Sequence, residues 1–287
     1  MLLLLFVAGI ATSTFAGEPV RLTHDGRLKM DPVFIRGGEE LVFTVLESES
    51  QTSLMRLKLA DGGVSRLRPD ASTSEFEPAF SADGRHCAFV QSRGNLNLLL
   101  VIQDTVAGKD HIFDPGGGFN GMRRPTIAGE AGWVAFAMPG PGGEQIFRVN
   151  LQATGREQLT EGEAMNMTPA YSPDGQRIAF SSSRDDDFEI HVMDADGKNV
   201  RRLTHRKGRD LRPSWSPDGR QTAFTGYADG NEELFVMNAD GAALRRVTNH
   251  PERDDYPAWH PDGRRLVALC ERHGQFDLYL LDVPVRP

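Results

Sequence analysis

The heptapeptide Pro169-Ala170-Tyr171-Ser172-Pro173-Asp174-Gly175 decides the fold, because copies of it recur along the whole chain. It returns as Pro213-Ser214-Trp215-Ser216-Pro217-Asp218-Gly219 and as Pro257-Ala258-Trp259-His260-Pro261-Asp262-Gly263. A looser copy runs from Pro78 to Gly84, and two eroded copies begin at Pro32 and Pro125. The six prolines are 46, 47, 44, 44 and 44 residues apart. Similarity at a nearly fixed period indicates a repeat architecture.

The register of the repeat extends beyond the heptapeptide. Two residues after each proline stands a large apolar residue: Phe34, Phe80, Ile127, Tyr171, Trp215 and Trp259. Eleven residues after each proline stand Phe43, Phe89, Phe136, Phe180, Phe224 and, in the last unit, Ala268. We expect these side chains to pack unit against unit as scaffold, without a functional role.

Each unit divides into four short strands, as the fourth unit shows. Residues 169–172, 177–181, 188–193 and 200–204 have strand character, and the turns Pro173-Asp174-Gly175 and Asp194-Ala195-Asp196-Gly197 separate them. The glycine that ends each turn accepts a positive φ. Four short strands in a unit of about 44 residues are typical of a propeller blade. The sequence therefore predicts an all-β, six-bladed β-propeller with four antiparallel strands per blade.

The last unit runs out at Val283-Pro284 after three strands, so its fourth strand must come from elsewhere. The segment Pro19-Val20-Arg21-Leu22-Thr23 resembles the fourth strand of the fourth unit. Thr23 precedes Pro32 by nine residues, which is also the spacing from Thr160, Thr204 and Thr248 to the next repeat proline. We expect residues 18–23 to pair with residues 276–281 and close the ring, since an open ring leaves two sheet edges exposed.

The first sixteen residues differ from the rest of the chain. Met1 to Ile10 is almost wholly apolar, and Thr14-Phe15-Ala16 precedes Gly17 as a small-residue cleavage site. This pattern predicts a signal peptide at residues 1–16, too short to span a bilayer. No Lys or Arg precedes the apolar run, so either the start codon is misassigned or the signal is atypical. We expect residues 17–287 to form a single propeller domain in the periplasm or outside the cell.

Composition narrows the range of partners. The formal net charge of −8 repels phosphate backbones, so we expect no nucleic-acid partner, and we also expect a monomer. The two cysteines, Cys87 and Cys270, fall in units that are not neighbours in the ring. We interpret both as small buried apolar residues rather than a disulfide, although export would permit one.

The Ser-Pro-Asp-Gly turns, with Ile178-Ala179-Phe180 after one of them and Asp194-Ala195-Asp196-Gly197 later, resemble the repeats of the TolB-type, WD-repeat-like β-propeller family. The resemblance covers nearly all of residues 18–283 and is strongest at 165–283. It implies a propeller of the cell envelope that binds proteins, as in the Tol-Pal system. The separate α/β domain that precedes the TolB propeller has no counterpart here, since about a dozen residues separate the signal from the first unit.

A four-stranded meander sorts its loops onto two faces of the ring. The turn face carries the Pro-Asp-Gly and Asp-Gly turns, and the inter-blade face carries the connections between blades and between second and third strands. Loops of the inter-blade face are longer and richer in charge, so we expect binding there. The candidate residues are Asp210, Asp254, Asp255, Asn166, Glu75, Arg209, Arg253, His205, His250, Asp185 and Asp186.

Four of these candidates occupy equivalent repeat positions. Asp210 and Asp254 stand three residues before their prolines, and Asn166 and Glu75 stand at or near the same place. A ring of such side chains at the channel mouth would bind a cation or a basic segment of a partner. The alternative is that they are solvated or structural, because Asp near a turn often caps its own backbone. We favour this structural interpretation.

Metal and cofactor signals are weak, and we predict no cofactor and no catalytic residue. The loop Asp185-Asp186-Asp187 offers oxygen ligands for Ca²⁺ or another divalent cation but lacks the glycine spacing of an EF-hand. His24, His205 and His250 fall in three consecutive inter-unit loops, where their spacing follows from the repeat itself. Motifs such as Gly-x-Ser-x-Gly and His-Glu-x-x-His are absent from the sequence.

Two functional interpretations remain open at this level. The first is an exported protein-binding or scaffolding propeller whose partner docks on the inter-blade face. The second is a carbohydrate-active or metal-dependent propeller enzyme, similar to a lyase or a glycosidase, with carboxylates or histidines at the channel mouth. The missing catalytic motifs favour the first.

Overall fold

A closed ring of blades organises the chain. The computed structural model describes residues 17–49, 51–94, 97–116, 121–128 and 131–284, and within them the strands form six four-stranded antiparallel sheets. The inner strand of each sheet contacts the inner strands of both neighbours, so the sheets surround one central channel. This confirms the predicted all-β, six-bladed propeller. The predicted signal peptide, residues 1–16, lies outside the described residues.

The strands are numbered in chain order, and each blade runs from its inner strand to its outer strand. Blade 1 contains β2 (Lys29–Ile35), β3 (Glu40–Ser48), β4 (Gln51–Lys58) and β5 (Val64–Arg66). Blade 2 contains β6 (Glu75–Phe80), β7 (His86–Ser92), β8 (Leu98–Asp104) and β9 (Lys109–Phe113). Blade 3 contains β10 (Arg123–Ala128), β11 (Trp133–Gly140), β12 (Gly143–Asn150) and β13 (Glu157–Gln158).

The second half of the ring follows the same order. Blade 4 contains β14 (Asn166–Tyr171), β15 (Arg177–Asp185), β16 (Asp187–Asp194) and β17 (Arg201–Arg202). Blade 5 contains β18 (Asp210–Trp215), β19 (Gln221–Ala228), β20 (Asn231–Asn238) and β21 (Arg245–Arg246). Blade 6 contains β22 (Asp254–Trp259), β23 (Arg265–Arg272), β24 (Gln275–Asp282) and, as its outer strand, β1 (Val20–Arg21). A 3₁₀ turn at Arg36–Gly38 joins β2 to β3. No helix among the described residues is long and apolar enough to cross a bilayer.

The Ser-Pro-Asp-Gly turn is held by its own side chains, as blade 5 shows. The Ser216 hydroxyl donates to the Asp218 carboxylate at 2.6 Å and accepts the backbone N–H of Gln221 at 2.9 Å. Gly219 adopts φ 67°, which lets its N–H reach the Ser216 carbonyl at 2.9 Å. These contacts satisfy the backbone of a tight reversal and explain why the tetrapeptide recurs between inner and second strands.

Aromatic side chains join one blade to the next. The phenylalanines eleven residues after the repeat prolines are at most 1 % exposed, so burial of each contributes about 1.5–3 kcal/mol. The Trp215 indole N–H donates to the Ala170 carbonyl of blade 4 at 3.0 Å. The Trp259 indole N–H donates to the Ser214 carbonyl of blade 5 at 3.2 Å. Packing unit against unit, as predicted from the repeat, is confirmed.

The N-terminal strand closes the ring as predicted. β1 pairs antiparallel with β24, with Val20 opposite Leu280 and Arg21 opposite Tyr279. The Thr23 hydroxyl donates to the buried Asp277 carboxylate at 2.6 Å and accepts the backbone N–H of Leu278 at 3.0 Å. The Arg21 guanidinium donates to the other oxygen of Asp277 at 2.5 Å. This Arg-x-Thr clamp fixes the register of the closing strand.

The same clamp occurs inside the chain. In blade 5 the Thr248 hydroxyl donates to Glu233 at 2.5 Å, and the Arg246 guanidinium donates to the same carboxylate at 2.8 Å. In blade 4, Thr204 and Arg202 donate likewise to Glu189. The closing strand thus makes the contacts that an ordinary outer strand makes. The nine-residue spacing from Thr23 to Pro32 could be recognised in the sequence because the clamp places a threonine at the same repeat position in these blades.

The two cysteines lie in different blades and do not pair. Cys87 on β7 and Cys270 on β23 are free and buried. Burial raises the pKa of both thiols above the ordinary value, which keeps them protonated. The prediction that both are small buried apolar residues is confirmed.

Substituting Thr23→Val tests the closing clamp. The variant leaves the buried Asp277 without its hydroxyl donor, so we expect the free energy of unfolding to fall by about 2 kcal/mol in urea titrations. Val20→Ala in the same strand is the control, because Val20 is 57 % exposed and the loss should stay below about 0.5 kcal/mol. Equal effects of the two substitutions would contradict closure through this clamp.

Candidate functional site

Each inner strand carries a bulge at the same place. The register with the second strand shifts between the residue two before the repeat proline and the residue one after it, in all six blades. The residue directly before each proline has φ between 52° and 58°. In this region of backbone conformation, residues other than glycine are strained. We call these six residues the pre-proline ring: Asp31, Glu77, Arg124, Thr168, Arg212 and Tyr256.

The pre-proline ring plugs the channel. Arg124 of blade 3 forms an ion pair with Asp31 of blade 1, and its Nε lies 3.5 Å from Oε1 of Glu77 in blade 2. The same guanidinium lies 4.9 Å from the ring centre of Tyr256 in blade 6. Arg212 covers Tyr256 at 4.3 Å. These ion pairs and cation–π contacts link five of the six blades and leave a cavity of about 200 Å³ at this level.

Burial controls the protonation of the plug. Desolvation raises the pKa of Glu77 to about 7, against the opposing charges of Arg124 and Arg123. Desolvation also raises the pKa of Asp31, whose carboxylate faces Arg124 and Arg212. Asp255, which forms an ion pair with Arg212, is buried too. The Arg212 and Arg253 guanidinium groups outweigh desolvation, however, and lower the pKa of Asp255. The plug therefore contains two carboxyl groups whose pKa is raised by burial, and that of Glu77 is raised to about 7.

Above the plug, on the inter-blade face, the channel opens into a cavity of about 640 Å³ that we call the mouth chamber. Its apolar walls come mainly from blades 1, 2 and 4: Met30, Leu46, Phe76, Leu98 and Met167. Its charged residues are Asp31, Glu49, Glu77, Arg123, Arg124, Glu144 and Arg212. A cavity of this size with apolar walls and a few charges is typical of a ligand or peptide site.

Glu144 differs from the other carboxylates of the mouth chamber. Desolvation raises its pKa, and the charge of Arg123 opposes this. Within the described ranges its side chain makes no hydrogen bond and no ion pair of 4.0 Å or less. A partly buried carboxylate without a partner favours an incoming cation.

The predicted ring of acidic and amide residues lies elsewhere than in the open channel. Glu75, Asn166, Asp210 and Asp254 are at most 2 % exposed and face the chain's own polar groups. Asp210 accepts from Arg206 at 2.7 Å, and Asp254 accepts from Arg272 at 2.7 Å.

The other two members of that ring are held in the same way. Asn166 bonds Gln145 at 2.9 Å and Ser182 at 2.8 Å, and Glu75 accepts from Arg68 at 3.0 Å. This placement fits the structural interpretation that we favoured.

The remaining predicted residues are spread around the inter-blade face. Asp255 is buried and accepts from Thr225 at 2.7 Å and from Arg253. Asp185 contacts His191 at 3.0 Å, and Asp186 is exposed.

The exposed Arg209 lies 3.8 Å from Glu232, and His205 is exposed in its loop. The His250 backbone N–H donates to Glu233 at 2.9 Å. Across the described part of the chain, no three His, Cys, Asp or Glu residues are grouped to hold a metal ion.

Sequence analysis missed the pre-proline ring, although its members can be named from the repeat. They stand immediately before the prolines that define the period. Strict alternation along the inner strand would point the residues next to each pre-proline residue, and not that residue itself, into the channel. A proline also normally keeps the residue before it extended. The bulge overrides both expectations, and its presence becomes evident only when inner and second strands are paired.

These features define a class: a six-bladed, N-terminally closed β-propeller with a plugged channel and an open chamber on one face. The family profile of the TolB beta propeller domain matches residues 124–283, which is more than half of the chain. The chain belongs to the TolB β-propeller family.

Three similar proteins place the chain within this family and fold. A TolB homolog from Chlorobium luteolum is 29 % identical over 143 residues, covering 47 % of this chain but only 30 % of that relative. A putative TolB structure from Agrobacterium tumefaciens has TM-score 0.69 and 21 % identity, covering 92 % and 93 % of the two chains. A gluconolactonase structure from Xanthomonas campestris has TM-score 0.66 and 17 % identity, covering 94 % and 98 %. At these identities the two structures show a shared fold alone.

The titration of Glu77 predicts a pH dependence of stability. Its pKa in the folded chain, about 7, exceeds the ordinary 4.5, so the folded state binds the proton more tightly. The resulting stabilisation is complete below about pH 4.5 and is lost as the pH rises through about 7. We expect urea titrations across this range to show a decline that Glu77→Gln reduces, while Asp31 and Asp210, whose pKa values burial also raises, contribute the remainder. Glu157→Gln, on the outer strand β13, is the control and should keep the wild-type decline; loss of the decline in both would refute the assignment.

Proposed function

We propose that the protein is an exported, protein-binding propeller of the cell envelope, and that it holds a segment of its partner in the mouth chamber. The observation that carries this proposal is the apolar-walled chamber above the plug. Because side chains of the plug meet across the channel, a ligand that enters from this side meets the pre-proline ring together with Glu144. Membership of the TolB propeller family supports a binding role.

Exposed apolar side chains around the chamber support a protein partner. Leu46 is 37 % exposed, Met165 is 41 % exposed and Tyr227 is 39 % exposed, and all three lie on the inter-blade face. Large apolar groups at the surface favour burial against a partner. The carboxylate of Glu144, which pairs with none of the described residues, favours a partner segment that carries a Lys or Arg beside its apolar side chains.

Capture experiments with mouth-chamber variants test this function. We expect the tagged wild-type protein to recover one envelope protein, and Leu46→Glu or Glu144→Lys to reduce the recovery at least tenfold. Leu46→Glu places a charge on the apolar wall, and Glu144→Lys repels the incoming cation.

Matched controls lie outside the chamber. Leu244→Glu changes a leucine that is 40 % exposed on the turn face, and Glu157→Lys changes an outer-strand carboxylate. Both controls should recover the partner as well as the wild type does. Full recovery by Leu46→Glu and Glu144→Lys together would exclude the mouth chamber as the docking site.

Export is proposed from the apolar leader at residues 1–16 and is tested separately. We expect mass spectrometry of the protein from fractionated cells to give a mature N-terminus at or near Gly17 in the periplasmic or secreted fraction. Full-length protein confined to the cytoplasm would contradict this location. A variant that lacks residues 2–16 should stay inside the cell.

A further inference from the structure

A second chamber lies at the other end of the channel. It has a volume of about 890 Å³, opens on the turn face and receives residues from all six blades. We call it the turn-face chamber. Its wall is the ring of large apolar residues two positions after the repeat prolines: Phe34, Phe80, Ile127, Tyr171, Trp215 and Trp259. Sequence analysis assigned this ring to the scaffold alone.

Packing between blades does not bury all side chains of this wall. Trp215 and Trp259 are nearly buried, but Phe34 of blade 1 and Phe80 of blade 2 stay partly exposed to the chamber. Ligand sites commonly have volumes of about 300–1,000 Å³, apolar and aromatic walls and a few placed polar groups. The turn-face chamber meets the first two conditions, and its charged side chains come from blades 1 and 2.

Glu40 and Arg56 supply an unsatisfied acceptor and donor at this side of the chamber. Glu40 is 8 % exposed, and its Oε2 accepts no hydrogen bond within the described residues. The Nε of Arg56 is buried and donates none there. Nη1 of Arg56 lies 3.9 Å from Oε2 of Glu40, which is too long for a hydrogen bond. Arg36 Nε approaches the same oxygen to 3.3 Å without the alignment of one.

The repeat provides an internal comparison for Arg56. Arg56 pairs with Val42, the residue before Phe43, and Arg148 pairs with Ala135, the residue before Phe136, so the two arginines are equivalent. Each guanidinium nitrogen of Arg148 has an acceptor. The group donates twice to Glu157, at 2.6 and 2.8 Å, and once to the Ala195 carbonyl at 2.8 Å. In blade 1 the equivalent arginine makes no such hydrogen bonds to the residues that the structure describes, and it lines a cavity instead.

The gap between Glu40 and Arg56 selects the chemistry of a ligand. A hydroxyl can donate to the carboxylate and accept from the guanidinium at once, so it completes both groups. Arg36 and Arg56 would repel a cationic ligand, and a neutral hydroxyl meets both the carboxylate and the guanidinium without a charge of its own. Saccharides carry hydroxyl edges and apolar C–H faces, and the latter fit the wall of Phe34 and Phe80. We propose that the turn-face chamber binds a neutral saccharide, independently of any partner on the inter-blade face.

Binding to the mature protein can be measured with maltose, cellobiose and N,N′-diacetylchitobiose. Two of the three tryptophans, Trp215 and Trp259, line the chamber, so a titration should change the tryptophan emission. Saturation-transfer difference NMR should show contact with the same sugar. We expect at least one of the three to bind, and Glu40→Leu and Arg56→Leu each to weaken it at least tenfold.

Glu157→Leu is the matched control, because Glu157 pairs with the equivalent arginine on the outer edge of blade 3. It should bind the sugar as the wild type does. Ala82→Trp, at an exposed turn position that lines the chamber, should also block binding without altering the Glu40–Arg56 pair. Failure of the folded wild type to bind any of the three sugars would overturn the proposal. So would binding that is unchanged in Ala82→Trp and in whichever of Glu40→Leu and Arg56→Leu folds by circular dichroism.

Discussion

Closure of the ring depends on one buried carboxylate. Asp277 on β24 receives the hydroxyl of Thr23, the guanidinium of Arg21 and, at 3.0 Å, the ammonium of Lys29 from the inner strand of blade 1. Desolvation disfavours the charged carboxylate, but these donors outweigh it and lower the pKa of Asp277. Both ends of the propeller and the first blade thus meet at one group, and without it two sheet edges would be left open.

The closed ring then permits strain at its centre. Six residues with positive φ would be costly in an isolated sheet, at about 1–3 kcal/mol each. In the ring, contacts between neighbouring blades hold the bulge in place, against the preference of the following proline for an extended residue before it. The bulge turns Asp31, Arg124 and Tyr256 toward one another across the channel, where they form the plug. The plug separates the mouth chamber from the turn-face chamber, so one repeat produces two different cavities.

Charged residues in and beside the loops of blades 4 to 6 mainly form contacts within the propeller and do not form an open binding surface. Asp210 and Asp254 look like open-channel ligands in the sequence, but each is fully buried against an arginine of its own blade or the loop before it. The open cavity instead lies mainly over the first three blades, where the repeat has diverged most.

Sequence alone determined the architecture, because local interactions recur at a nearly fixed period: the turn after the inner strand, the buried phenylalanine of blades 1 to 5 and the Arg-x-Thr clamp of blades 4 to 6. Thr23 could be placed in blade 6 from its spacing, since the clamp has the same geometry at Thr204 and Thr248. The candidate sites were decided by tertiary structure. Which face a residue occupies depends on a bulge that local pattern does not encode, as for Arg124 and Tyr256. Whether a charge is free depends on its partner in space, which is why Arg56 and Arg148 occupy equivalent positions with different contacts.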